Sequence, residues 1–133
     1  MAEFPTFSGQ WQYQSFCPKP GSTDRPALIA APWSPRGVLD VETHPETGKV
    51  KGKLVFTPAI QLDVTGTVTP ALGDTPASVE LIAQGLGSVS MLRGCFLYGA
   101  GVLVAGMVVA IANDLAKQPV GTRGAFVLFP GIA

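Results

Sequence analysis

The amino-acid sequence predicts an all-β protein, a single antiparallel up-and-down β-barrel of about eight strands. Three observations lead to this prediction. Polar and apolar residues alternate with a period of two over much of the chain. The 133 residues include 16 glycines and 12 prolines, which interrupt long helices. Strand-like segments recur at short intervals with turn residues between them, and the length suits one domain spanning 1–133.

The first predicted strand covers residues 9–17, with the sequence GQWQYQSFC. Trp11, Tyr13 and Ser15 share one face of this strand, and glutamines occupy the other face. Residues 18–35 follow and are rich in proline, which is rare in central strands. We expect a long loop there, with a short edge strand at 27–31. Its aromatic residue, Trp33, is placed to cover a barrel mouth as a lid.

Four more strands are predicted from alternation, at 36–43, 49–56, 60–69 and 78–84. In the second of these, Lys49, Lys51 and Lys53 face away from Val50, Leu54 and Phe56, so the lysines mark the outside of the barrel. The segment THPETGK predicts a hairpin turn in which Gly48 takes a positive φ, and residues 70–76 predict another turn.

An uncharged run at 94–113 is long enough to suggest a membrane span. Its four glycines and its valines oppose a helix, since glycine costs up to about 1 kcal/mol relative to alanine in a helix. We interpret 99–101, Gly-Ala-Gly, as a turn between strands at 89–98 and 102–113. A last strand is expected at 121–129. The sequence therefore predicts no membrane partner.

The charge balance and the residue types exclude several kinds of function. Nine basic and nine acidic residues give a formal net charge of zero, so we expect no nucleic-acid partner. One histidine, in the predicted turn, and two distant cysteines do not make a usual metal site, and we expect no cofactor. The sequence GLGS at 85–88 is interpreted as a turn. The N-terminal sequence does not have the pattern of a secretion signal, so we expect a cytoplasmic protein with Cys17 and Cys95 reduced.

The first strand opens with Gly9-Gln10-Trp11, a G-x-W pattern, and the last strand carries Arg123. In these features, and in its hairpin rhythm and length, the chain resembles the calycins, the eight-stranded barrels that include the lipocalins and avidin-like proteins. The resemblance implies that Trp11 packs at the closed end of the barrel beneath the side chain of Arg123. It also implies a lumen that holds one small molecule.

The function we expect is the binding of a small apolar or aromatic molecule inside the barrel. Candidate ligand-binding residues are Trp11, Tyr13, Trp33, Met91, Arg93, Tyr98 and Phe126. The alternative is a cofactor-free isomerase or cyclase, with chemistry of the kind found in allene oxide cyclase and dirigent proteins. Arg93 would then stabilise negative charge, and Tyr13 or Asp114 would give or take a proton. A third alternative is a structural protein whose barrel is filled by its own side chains.

The sequence does not decide where two of these candidate residues lie in the barrel. Alternation groups Arg93 with Met91 and Cys95, and this face lies either in the lumen or on the outside. In the lumen, Arg93 would need an anionic partner or a ligand oxygen; outside, it would be a surface or interface residue. Asp114 either caps a short helical turn or presents a carboxylate at the barrel mouth.

The strands from Val89 onward are apolar on both faces. A sheet face in contact with water usually carries polar residues, as the lysines at 49–53 illustrate. Because no helix is predicted to cover the outer face, we expect another copy of the chain to do so. The sequence therefore predicts a homo-oligomer formed through strands within 89–129.

Overall fold

The computed structural model describes residues 7–16, 36–97, 103–113 and 123–130. Each strand pairs with the next, and the last pairs with the first, so the described strands close into an antiparallel up-and-down barrel. The all-β barrel predicted from the sequence is confirmed. The strands are β1 (Gly9–Phe16), β2 (Gly37–Thr43), β3 (Lys49–Thr57), β4 (Ile60–Thr69), β5 (Ser78–Gly85), β6 (Ser88–Leu97), β7 (Leu103–Asn113) and β8 (Arg123–Pro130).

The strand boundaries agree with the predicted ones to within two residues, because the alternating pattern matches the two-residue repeat of a strand. The predicted outside positions of β3, its three lysines, are exposed, while Val50 and Leu54 are buried. The expected edge strand at 27–31 and the expected turn at 99–101 lie outside the described residues.

The uncharged run is divided between two neighbouring strands. β6 and β7 run antiparallel, and Gly94 lies directly opposite Gly106. Within the described part of the chain, no helix has the length and hydropathy needed to cross a membrane.

Two hairpin turns reach positive φ in different ways. Between β2 and β3, Gly48 has a φ of 73°, as the sequence predicted. Between β5 and β6, Leu86 has a φ of 52° and Gly87 a φ of 80°, the combination found in type I′ hairpins. Leucine carries a Cβ, and the left-handed conformation costs such a residue roughly 1 kcal/mol or more.

The interior of the barrel differs between its two ends. Successive strands alternate in direction. The last residues of β1, β5 and β7 therefore lie at the same end of the barrel as the first residues of β6. Several of the buried side chains there are small, and we name this the small-residue end: Ser15, Ala83, Ser88 and Ala110. The opposite end, the aromatic end, is filled by three large buried rings: Phe7, Trp11 and Phe96.

Glycines on the inner wall make room for an aromatic ring. A Cβ on Gly94 would lie 3.0 Å from Cζ of Phe126, so the ring occupies the space that a larger residue would need. A Cβ on Gly106 would overlap the carbonyl oxygen of Arg93 on the neighbouring strand. The close approach of β6 and β7 therefore depends on glycine, and Gly94 leaves space for the buried ring of Phe126.

Candidate functional site

Trp11 closes the aromatic end. Its indole Nε1 donates a hydrogen bond of 2.8 Å to the carbonyl oxygen of Phe7, which satisfies the polar atom of a ring that is 5% exposed. The centroid of the Phe7 ring lies 5.2 Å from that of Trp11 and 5.7 Å from that of Phe96. Phe7 lies in contact with both other rings, so Trp11 has a packing role at this end.

Arg123 does not lie over Trp11, and this part of the calycin resemblance is wrong for the chain. Trp11 is opposite Pro130, the last residue of β8, whereas Arg123 is the first residue of β8 and lies opposite Val109. At about 3.3 Å per residue, the two backbone positions are separated by roughly 20 Å along the strand. The G-x-W pattern lies at the aromatic end of this barrel, whereas the basic residue of the last strand begins β8 at the other end.

Tyr13 and Ser15 bring hydroxyl groups into the interior. They point inward from β1, and they are 5% and 2% exposed. A side-chain hydrogen bond joins them. Burial raises the pKa of Tyr13 from 10.0 to about 12, and the hydrogen bond from Ser15 opposes part of that increase. The phenol is therefore neutral at physiological pH and able to donate a hydrogen bond.

Two aromatic rings contact Tyr13. Its ring centroid lies 6.2 Å from that of Phe126, in a stacked arrangement, and 6.0 Å from that of Phe56, in an edge-on arrangement. Phe56 also covers Gly37, where a Cβ would lie 3.0 Å from two of its ring carbons. We call Tyr13, Ser15, Phe56 and Phe126 the tyrosine cluster. β1, β3 and β8 each contribute to it.

Phe56 and Ser15 are the members of this cluster that sequence reasoning did not select, and Phe56 is the ring among them. Its inward direction followed from the alternation in β3, but no local signal placed it against Tyr13. Phe56 is only partly buried, unlike Tyr13 and Phe126. It is thus the ring of the cluster that solvent reaches.

Arg93 and Met91 lie on the outside of the barrel, so the open question about this strand is settled. β6 turns Leu92, Gly94 and Phe96 inward, and the hypothesis that Arg93 projects into the lumen is wrong. A guanidinium inside an apolar interior would lose its hydration without an anionic partner, whereas outside it pairs with Glu80. Arg93 Nη2 lies 2.7 Å from Glu80 Oε1, with 70% and 56% of the two side chains exposed.

The remaining candidates fall into two groups. Trp33, Tyr98, Asp114 and Cys17 lie outside the described residues. His44 is exposed in the turn between β2 and β3, where its Nδ1 accepts a hydrogen bond of 3.2 Å from the backbone N–H of Glu46. The described part of the chain contains no group of three or more His, Cys, Asp or Glu residues able to hold a metal ion.

The chemistry of the inner wall follows from these placements. Among the side chains that the structure describes, Tyr13, Ser15 and Ser88 carry buried hydroxyl groups, and none of the buried side chains is charged. A neutral phenol beside a serine hydroxyl and two aromatic rings can orient an uncharged group through a hydrogen bond. Comparison of the chain with protein-family models, curated proteins and solved structures found no match.

Proposed function

We propose that this protein is a calycin-like binding barrel that takes up a small apolar or aromatic molecule at the tyrosine cluster. The observation that carries the proposal is the Tyr13–Ser15 hydroxyl pair, with the Tyr13 ring in contact with Phe56 and Phe126 in a mostly apolar interior. Small-molecule sites commonly combine apolar walls with a few polar groups that fix orientation.

The chemistry of the cluster restricts the ligand. A neutral Tyr13 hydroxyl favours a ligand with an acceptor such as a carbonyl, hydroxyl or ether oxygen. A carboxylate would lose its hydration without a cation beside it, because the described inner wall has no buried basic side chain. The preferred ligand is therefore uncharged and largely apolar, with at least one oxygen acceptor.

The route to the cluster passes Phe56. Tyr13 and Phe126 are almost fully shielded, so a ligand reaches them only if a side chain moves. Phe56 is the partly exposed ring of the cluster, and it rests on Gly37, which has no side chain to hold it. A change of its rotamer uncovers Tyr13 at the cost of its own ring contacts.

The first test is mass spectrometry of small molecules retained by the native protein, followed by titration with Nile red, an uncharged aromatic probe that carries a carbonyl group. Tyr13→Phe removes the donor and keeps the ring, and should weaken binding about tenfold, equivalent to about 1.4 kcal/mol. Leu72→Ala, at an exposed turn far from the cluster, should bind as the parent does. Binding that is unchanged by Tyr13→Phe and by Phe56→Ala would contradict the site.

A cofactor-free isomerase or cyclase in the same interior is supported less well. Tyr13 can donate a hydrogen bond, but its raised pKa makes the phenol a weak proton donor, because an effective general acid has a pKa near the working pH. Its expected electrostatic partner, Arg93, is paired with Glu80 on the outer surface. Binding requires only the groups that the tyrosine cluster contains, and it is therefore the function we propose.

A further inference from the structure

The outer surface of β5, β6 and β7 carries large apolar side chains in contact with water. We name this surface the apolar outer face and define it by five exposed residues: Ile82, Met91, Leu97, Met107 and Ile111. Their exposed fractions lie between 38% and 54%, whereas side chains of these types are usually buried. A contiguous set of this kind is typical of an interaction surface.

The two charged residues on this face belong to one row across the sheet. Glu80 lies opposite Arg93, and Arg93 lies opposite Met107. The carboxylate and the guanidinium form an ion pair, so the face has no net charge at its centre. A strongly acidic or basic partner therefore has no electrostatic preference for it.

We propose that a second copy of this chain covers the apolar outer face, with the two sheets packed face to face about a two-fold axis. A two-fold interface places the same surface on both subunits. Glu80 of each copy can then face Arg93 of the other, and two reciprocal ion pairs replace or join the pairs within each chain. The neutral, self-complementary charge pattern favours this partner over an unrelated protein.

The closed barrel also restricts how a partner can bind. β1 to β8 form a complete ring, so the described strands present no free edge to which a partner could add a strand. Contact must therefore be made through side chains, as between the two sheets of a β-sandwich. An apolar sheet surface is itself a suitable partner for this packing.

The face is large enough for a dimer. Three strands about 4.8 Å apart, each contributing about eight residues at about 3.3 Å, give roughly 400 Å² of sheet before side-chain relief is added. A standard interface buries about 800 Å² of accessible surface on each partner. The two areas are of the same order, and the inference does not rest on the binding function proposed above.

The test is the mass of the protein in solution, measured by multi-angle light scattering at micromolar concentration. The parent should have twice the mass of one chain or a higher even multiple. Met107→Glu places a carboxylate at the centre of the face and should yield monomers, because two buried carboxylates would meet. Leu72→Glu is the matched control, since Leu72 is an exposed apolar residue in the turn after β4, and it should leave the mass unchanged.

A charge-reversal experiment tests the two-fold arrangement. Glu80→Arg alone places two arginines on each face, and should weaken association at least tenfold. The double variant Glu80→Arg with Arg93→Glu restores one charge of each sign and should restore the dimer. Circular dichroism of each variant separates loss of association from loss of folding.

The Cys95 thiol gives an independent measurement in a Cys17→Ser background. Cys95 is exposed beside Arg93 on the same strand face, so association should slow its reaction with a maleimide, and Met107→Glu should restore the rate. A parent chain that is monomeric at micromolar concentration would overturn the proposal. Binding of the monomer to phosphatidylcholine vesicles through this face would identify a different occupant and would also overturn it.

Discussion

The two halves of the barrel wall have similar inner faces and different outer faces. In β2, β3 and β4 the outer positions carry charged residues in cross-strand rows, such as Asp40, Lys53 and Asp63. In β5, β6 and β7 the outer positions carry Ile82, Met91 and other large apolar residues. The inner face of this closed barrel is mostly apolar all round because its side chains pack against one another, whereas the outer face is free to vary with what covers it. The difference therefore indicates the environment of each half, and not a difference in fold.

The largest expected effect tests the similarity of the inner faces. Gly52 lies in the charged half and Gly106 in the apolar half, and a Cβ on either would overlap a carbonyl oxygen of the neighbouring strand. We expect Gly52→Ala and Gly106→Ala each to lower the free energy of unfolding by about 3 kcal/mol, because the neighbouring backbone must move. Urea denaturation measures both. A loss at one site only would show that the two inner walls tolerate strain differently.

The next effect concerns β1, the strand between the two halves. Burial raises the pKa of Tyr13 to about 12, above its ordinary value of 10.0. The neutral phenol stabilises the fold fully below pH 10, and this contribution, about 2–3 kcal/mol, is lost as the pH rises through 12. Denaturation at a series of alkaline pH values should show a smaller loss for Tyr13→Phe than for the parent. Contributions from the rest of the chain are common to both proteins and cancel in the difference, so identical slopes would argue against a buried phenol.

A smaller effect comes from comparing hairpin turns. The charged half uses Gly48 at its positive-φ position, and the apolar half uses Leu86. Leu86→Asn should raise the free energy of unfolding by about 1 kcal/mol, because asparagine tolerates the left-handed conformation and favours the type I′ turn. Leu72→Asn is the control, and a similar gain there would mean that hydrophobicity, and not φ, is responsible. The midpoint of urea denaturation reports both.

The smallest effect is the exposed ion pair of the apolar half. In the background of Ile111→Glu, which also charges the apolar outer face but is not opposite Arg93, a double-mutant cycle of Glu80→Ala and Arg93→Ala should give a coupling free energy below about 1 kcal/mol, since both side chains are more than half exposed. The equivalent cycle for Asp40 and Lys53 in the charged half should be similar. A much larger coupling in the parent background would then come from the contact between subunits.

The sequence was sufficient for the strands because alternation is a local property. It also identified the outside of β3, where lysines mark one face. It could not choose between the faces of β6, since both are apolar and Arg93 was consistent with either side. Which face of β6 turns inward depends on which face carries the larger rings. The ring of Phe96 packs with side chains from other strands, and its face is therefore the inner one.

The candidate site was predicted less completely than the fold. Tyr13 and Phe126 were selected, but Phe56 was not, because their meeting depends on the register of strands far apart in the chain. The same non-local register separates Trp11 from Arg123. Alternation predicts the face of a residue and not its height in the barrel, and a site depends on both.

The pairing of β1 with β8 has a consequence for how the protein is made. During synthesis, β1 leaves the ribosome long before β8. One row of its backbone hydrogen-bonding groups stays unpaired until β8 has been translated. The ring then closes by joining the most distant parts of the sequence, which predicts slow folding and a benefit from chaperones. Because Trp11 and Pro130 are neighbours, a short linker between β8 and β1 would let the chain be opened at Leu86-Gly87 instead. Such a permuted gene would change which strands have an unpaired edge during translation and would encode the same barrel.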